Sequence, residues 1–186
     1  DREQTHQSLL THLVEEACEV VDAVEQGTDA DLLEELGDLL LQVYFHAQIA
    51  EDEGRFTLDD VARGIADKLI RRHPHVFGGG EVPENLRQTW EQSKRQEKGR
   101  ASSLDGIAQS MSSLARTQKV ISRARSHQVA VELPDEAITA SEAGEQIRAL
   151  VARAQASGID ADASVRAALR ELEDRIREAE RRSDAD

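Results

Sequence analysis

The sequence predicts an all-α protein, an antiparallel helical bundle, on three observations. Aromatic residues are only 3% of the 186 and charged ones 32%, while Ala, Leu, Glu and Arg dominate, which disfavours sheets built from β-branched and aromatic side chains. Apolar residues recur at helical spacing in successive segments. Short loops marked by Gly, Pro or Thr/Ser separate these segments, as expected when neighbouring helices pack antiparallel.

The first helix is expected over about Ser8 to Glu25, with Leu9, Leu10, Leu13, Ala17, Val21 and Val24 as its stripe. Gly27 closes it, and Thr28–Asp31 leads into a second helix from about Asp31 to Asp52. That helix carries Leu32, Leu33, Leu36, Leu39, Leu40, Val43, Tyr44 and Ala47, apolar over more than half its circumference, as in the centre of a bundle. Gly54 ends it. Thr57 with Asp60 reads as a capping box for a third helix bearing Leu58, Val61, Ile65 and Leu69, which Pro74 stops. A fourth helix is expected over Pro83 to Glu97, then others at Ile107–Arg125, Glu136–Ser157 and Ala161–Arg182. The last is thinly apolar, with Val165, Leu169, Leu172 and Ile176 as its stripe.

Bulk properties narrow the function. No stretch approaches the roughly 18 apolar residues of a membrane span and no basic-then-apolar leader opens the chain, so a cytoplasmic protein without membrane partners is expected. The formal charge of −14 argues against nucleic acid as a partner. The single cysteine, Cys18, excludes an intrachain disulfide and a Cys-based zinc cluster, and reads as a small buried hydrophobe. The chain starts at Asp1, which suggests a fragment or a processed chain.

The charge is also unevenly placed. Between Arg2 and Arg55 there is no Lys or Arg, yet Glu15, Glu16, Glu19, Asp22, Glu25, Asp29, Asp31, Glu34, Glu35 and Asp38 all fall there. Glu16 and Glu19 are three apart on one helix face, and so are Glu35 and Asp38 on the next. Gln42 and His46 continue the second pair as a narrow polar strip. Two carboxylates about 5 Å apart repel by roughly 3 kcal/mol at an effective dielectric of about 20. Four together would approach the stability of a whole domain, about 10 kcal/mol or more. Protonation or bound cations must offset this, and hard oxygen ligands select Mg²⁺, Mn²⁺ or Ca²⁺. Asp22, Glu25, Asp29 and Asp31 read instead as a solvated face. Lys68 and Arg72, four apart on the third helix, and Trp90 and Lys94, four apart on the fourth, follow. A carboxylate cluster facing such donors suits a polyanion such as a triphosphate; Trp90 reads either as a core anchor or as part of that site. His73 and His75, flanking Pro74, read as loop residues.

The segments H-L-V-E-E-A-C-E-V-V-D-A-V, E-E-L-G-D-L-L-L-Q-V-Y-F-H-A-Q and D-K-L-I-R-R-H-P-H-V-F closely resemble MazG-type nucleoside triphosphate pyrophosphohydrolases. The family's E-E-x-x-E and E-x-x-D stand here as Glu15-Glu16-Ala17-Cys18-Glu19 and Glu35-Leu36-Gly37-Asp38, Cys18 taking a place where an aromatic is common. The likeness is strong over about Asp1 to Gly99 and weaker beyond. It implies Mg²⁺, with Mn²⁺ as a possible substitute, on Glu16, Glu19, Glu35 and Asp38, and substrate contacts from Lys68, Arg72, Trp90 and Lys94. It further implies a homodimer whose paired helices complete a four-helix active-site bundle, and hydrolysis of ordinary or damaged (d)NTPs to monophosphate and pyrophosphate as nucleotide-pool house-cleaning or a stress response. Glu15 is the expected acceptor of the attacking water's proton, or else a supporting residue. A related dUTP, dCTP or phosphoribosyl-nucleotide pyrophosphohydrolase, and a non-catalytic helical scaffold or regulator, are the rival readings.

The expected organisation is a catalytic helical domain over 1–99, a connecting helix and linker over 100–133, and a degenerate C-terminal copy over 134–186. In that copy Glu142-Ala-Gly-Glu145 echoes Glu35-Leu-Gly-Asp38, but Arg123 to His127 stand where the upstream acidic pair would be.

Overall fold

The computed structural model describes residues 3–78 and 101–183, and among these it contains seven helices and no strand. The chain divides into two compact units, Asp1–Val82 and Pro83–Asp186. The expected helix over Pro83 to Glu97, with Trp90 and Lys94, lies outside the described residues.

In the first unit α1 spans Leu10–Gln26, α2 Asp29–Asp52, α3 Leu58–Arg72, and a single turn, α4, Pro74–Phe77. α2 begins two residues earlier than the apolar pattern suggests. The Thr28 side chain accepts from the Asp31 backbone N–H while the Asp31 carboxylate accepts from the Thr28 N–H, 2.7 Å away. This is the same reciprocal cap that Thr57 and Asp60 make at the start of α3. Before α1, Thr5 and Ser8 exchange backbone-to-hydroxyl bonds of 2.9 and 3.1 Å, which use the chain up to Leu9 and delay the helix start. Gly54, at φ +68°, makes the left-handed turn between α2 and α3. Pro74 ends α3 and opens α4 as its first residue.

The face α1 buries differs from the expected stripe. Leu9 and Ala23 are buried and Leu13, Glu16 and Val20 half-buried, whereas Leu10, Val21 and Val24 are exposed. The spacing 9, 13, 16, 20, 23 is a regular helical face, and Glu16 sits in its middle. Cys18, about 200° round the helix from Glu16, is exposed and not buried as its residue type suggested. On α2 the matching line is Leu32, Glu35, Asp38, Gln42, His46 and Ala50, half-buried or buried, with Gln42 only 5% exposed. The apolar surplus foreseen on α2 is real. Leu33, Leu36, Leu40 and Tyr44 form a second stripe and remain 76, 49, 53 and 51% exposed.

In the second unit α5 spans Ser113–Ser126, α6 Ala140–Ala156 and α7 Ala161–Ser183. Its core joins Leu104, Ile107, Val120 and Ala124 to Leu169, Leu172 and Ile176, with Ile121, Val129, Val131 and Leu133 packed against it. Ile107 is thus a core residue supplied by the segment before α5 and not the start of a helix. The Ser112 hydroxyl accepts from the Ala115 N–H and sets that start. Thr139 and Glu142 form a third reciprocal cap, so α6 begins at Ala140 and not near Glu136. Arg116 and Glu173, both nearly buried, pair at 2.7 Å across α5 and α7. Glu180 accepts from the Ser102 hydroxyl at 2.6 Å and the Ser103 N–H at 2.7 Å.

Candidate metal centre

The α1–α2 pairing brings Glu16 from one helix together with Glu35 and Asp38 from the other. Each offers a carboxylate oxygen, these atoms lie within 4.8 Å of one another, and all three residues are half-buried. The proximity follows from the faces: a helix pair that buries the line through Leu9, Leu13 and Ala23 against the line through Leu32 and Gln42 must bring the acids inside those lines together. Both Glu16 and Glu35 are held above the ordinary carboxylate range. For Glu16 the leading cause is burial, followed by a hydrogen bond with Glu19 and the charges of Asp38, Glu19 and Glu15. For Glu35 burial again leads, then Glu19, Glu34, Asp38 and Glu16. No cation is among these causes. Arg55, the first basic residue after Arg2, is engaged elsewhere, its Nε donating to Glu53 at 2.6 Å.

Glu19 is not one of the three clustered acids. It is exposed on α1, one turn beyond Glu16, and its charge raises both Glu16 and Glu35. It therefore stands at the rim of the cluster. Glu15 is turned aside, its carboxylate 3.2 Å from His12 Nδ1 with both side chains exposed, although its charge still reaches Glu16. Lys68 is half-buried and Arg72 buried, one turn apart on α3, which packs on α2. Among the described residues no ion pair joins Lys68 to the three acids. His73 closes α3 through an Nδ1 contact of 2.9 Å with the Leu69 carbonyl, and its ring meets His75 edge-on.

In the second unit Glu142 is committed to its cap, where the Thr139 backbone N–H and hydroxyl hold its carboxyl below the ordinary range. Glu145 is exposed. Among the described residues the three-acid grouping occurs only in the first unit.

Sequence reasoning gave His6 no role, although it meets His46 from forty residues away. No periodicity links positions so far apart; the only signal was a lone imidazole just ahead of an apolar helix.

Residues 4–77, which hold all three clustered acids, match the model of the MazG nucleotide pyrophosphohydrolase domain. A nucleoside triphosphate pyrophosphohydrolase of Escherichia coli K12 is 35% identical over 209 aligned positions, covering 97% of this chain and 80% of that protein. One from Mycobacterium tuberculosis is 41% identical over 185, covering 97% of this chain but 53% of the relative. The nucleoside triphosphate pyrophosphohydrolase/pyrophosphatase MazG of Thermotoga maritima is 52% identical over 103, covering 55% and 40%. The chain thus spans about half or less of the length of the last two. On the match over 4–77 and the extended likeness to the Escherichia coli protein, the chain belongs to the MazG nucleotide pyrophosphohydrolase family.

Proposed function

We propose that this chain hydrolyses (deoxy)nucleoside triphosphates, ordinary or damaged, to the monophosphate and pyrophosphate, as a house-cleaning activity in the cytoplasm. The observation that carries the reading is the group of three carboxylate oxygens within 4.8 Å, with no cation among the causes that shift Glu16 and Glu35. An all-oxygen, acidic donor set fits Mg²⁺, with Mn²⁺ as a substitute. Glu16, Glu35, Asp38 and, from the rim, Glu19 would hold such an ion, which would polarise phosphate oxygens and lower the pKa of an attacking water. Glu15 accepts the water's proton, its contact with His12 giving way to that role. Lys68 and Arg72 on α3 neutralise the outer phosphates as charge moves to the leaving pyrophosphate. Trp90 and Lys94 are assigned to the same substrate contacts by family resemblance alone. Residues 134–186, within the second unit, are a degenerate copy that has kept the scaffold without the upstream acidic pair. Nucleic acid and membranes are not partners; among the described residues no helix is long and apolar enough to cross a membrane.

Pyrophosphate release from a panel of ordinary and oxidised (d)NTPs, with and without Mg²⁺, tests the reading. The expected products are monophosphate and pyrophosphate, formed only with the cation. Nucleoside diphosphate and free phosphate as main products would overturn the site of attack. No turnover of any panel member would favour a scaffold instead.

The active species in this reading is a homodimer. A stripe of Leu33, Leu36, Leu40 and Tyr44, about half exposed or more in one protomer, is too apolar to be left in water. A second copy of α2 covers it and completes a four-helix bundle around the acids. Light scattering at micromolar concentration should give twice the chain mass, and Leu40→Glu should lower it toward the monomer. A native protein that scatters only as a monomer would contradict the assembly.

A further inference from the structure

The first unit holds a pair of histidines outside the acidic cluster. His6 precedes α1, His46 lies two turns beyond Asp38 on α2, and their Nδ1 atoms are 2.7 Å apart. The two ring planes differ by 6° and the centroids are 5.0 Å apart. Two ring radii and the 2.7 Å contact take up that whole distance, so the rings lie end to end in one plane rather than face to face. That is the geometry of a straight N–H···N hydrogen bond, which holds one proton and no more.

Neighbouring groups fix where the proton sits. Arg55 Nη2 touches His6 Nε2. A guanidinium only donates, so His6 Nε2 must present its lone pair, and the single proton of the neutral ring is on Nδ1. His6 Nδ1–H therefore donates to His46 Nδ1, and His46 carries its own proton on Nε2, a buried atom without a partner among the described residues. A proton on His46 Nδ1 would set two N–H groups head-on. Arg55, beside His6, donates from Nε to Glu53 at 2.6 Å. The neighbouring polar group on α2, Gln42, is uncharged and its Oε1 is buried without a partner among the described residues. In agreement, His46 is held below the ordinary imidazole value, first by burial and then by His6.

We propose that His6 and His46 form an acid-released latch that ties the segment before α1 to the C-terminal end of α2. Closed, the shared bond leaves no room for a second proton between the rings, and a proton taken by His46 Nδ1 breaks it. Opening is thus linked to proton uptake at His46, and the ratio of closed to open latch falls on acidification by up to about tenfold per pH unit. Release frees the segment in which Leu9, only 4% exposed, is anchored by its N–H to the Thr5 carbonyl at 3.2 Å.

The inference stands apart from the catalytic reading and is tested on the metal-free chain by ¹⁵N NMR of the imidazole rings. At pH 7.5 His6 should carry its proton on Nδ1 and His46 on Nε2; the opposite tautomers would overturn the arrangement. On titration to pH 5 the His46 ring should gain a proton on Nδ1 while the Leu9 amide loses hydrogen-exchange protection over the same interval. A His46 ring that takes up its proton with the Leu9 amide unchanged would also overturn it. His46→Gln, which cannot titrate, should make the order of residues 5–9 independent of pH across this range; acid loosening that persists in the variant would place the switch elsewhere.

Discussion

Asp38→Asn is expected to lower the rate of pyrophosphate release at least about a hundredfold, and Glu145→Gln to leave it within about threefold. Asp38 supplies one of the three oxygens within 4.8 Å, so the substitution removes a charge from the group proposed to bind a divalent cation. Metal catalysis contributes several kcal/mol to transition-state stabilisation, and each 1.36 kcal/mol is about tenfold in rate. Glu145 occupies the echoing place in α6 but is exposed. Its partner in the motif, Glu142, caps the helix, and Glu171 stands where the aligned first copy has Lys68. Both variants should be assayed after their helicity is checked, since the comparison concerns chemistry and not folding. Equal damage from the two would place chemistry in the second unit and overturn the assignment of the first as the catalytic half.

A second result is expected to run against intuition. Glu35→Gln should raise the melting temperature of the metal-free protein at pH 7.5 by a few degrees, and at the same time abolish most of the stabilisation by Mg²⁺. The Glu35 carboxyl is held above its ordinary value by burial and by its acidic neighbours. A carboxyl whose folded pKa exceeds the unfolded one makes the folded protein bind more protons. Its contribution to stability is therefore fully present below the unfolded value and is lost as pH rises from there through the folded value. At pH 7.5 the metal-free protein has lost it, and a neutral glutamine removes the repulsion. In the native chain Mg²⁺ at a hundred times its dissociation constant should stabilise by about 2.7 kcal/mol, roughly 5–10 °C for a protein of this size. A native melting curve unmoved by millimolar Mg²⁺, or a variant that melts lower than the native chain in chelator, would count against the cation site.

Much of the architecture was legible because it depends on local rules. The Thr57–Asp60 cap and Pro74 bounded α3, and the sparse stripe of α7 picked out Leu169, Leu172 and Ile176, which the structure buries. Helix starts were less so. Thr28 with Asp31, Ser112, and Thr139 with Glu142 each cap a helix, but apolar periodicity says nothing about a hydroxyl outside the stripe. Ile107 read as helical because it fits a 3.6-residue pattern, whereas it fills the second core from a turn.

The sequence by itself determined that the molecule is helical, that two acidic pairs three residues apart lie on adjacent helices, and that no Lys or Arg stands between Arg2 and Arg55 to neutralise them. Those are consequences of residue type and of a fixed helical period. Only the tertiary structure decided which carboxylates meet. Several faces of α1 are apolar enough to bury, and the one chosen runs through Leu9, Leu13 and Ala23, which carries Glu16 inward with Glu35 and Asp38 and leaves Glu19 at the rim and Glu15 beside His12. It also brought His6 to His46. Contacts across forty residues depend on how two helices are rotated against each other, and that rotation is set by the packing of the whole pair, which no window of sequence contains.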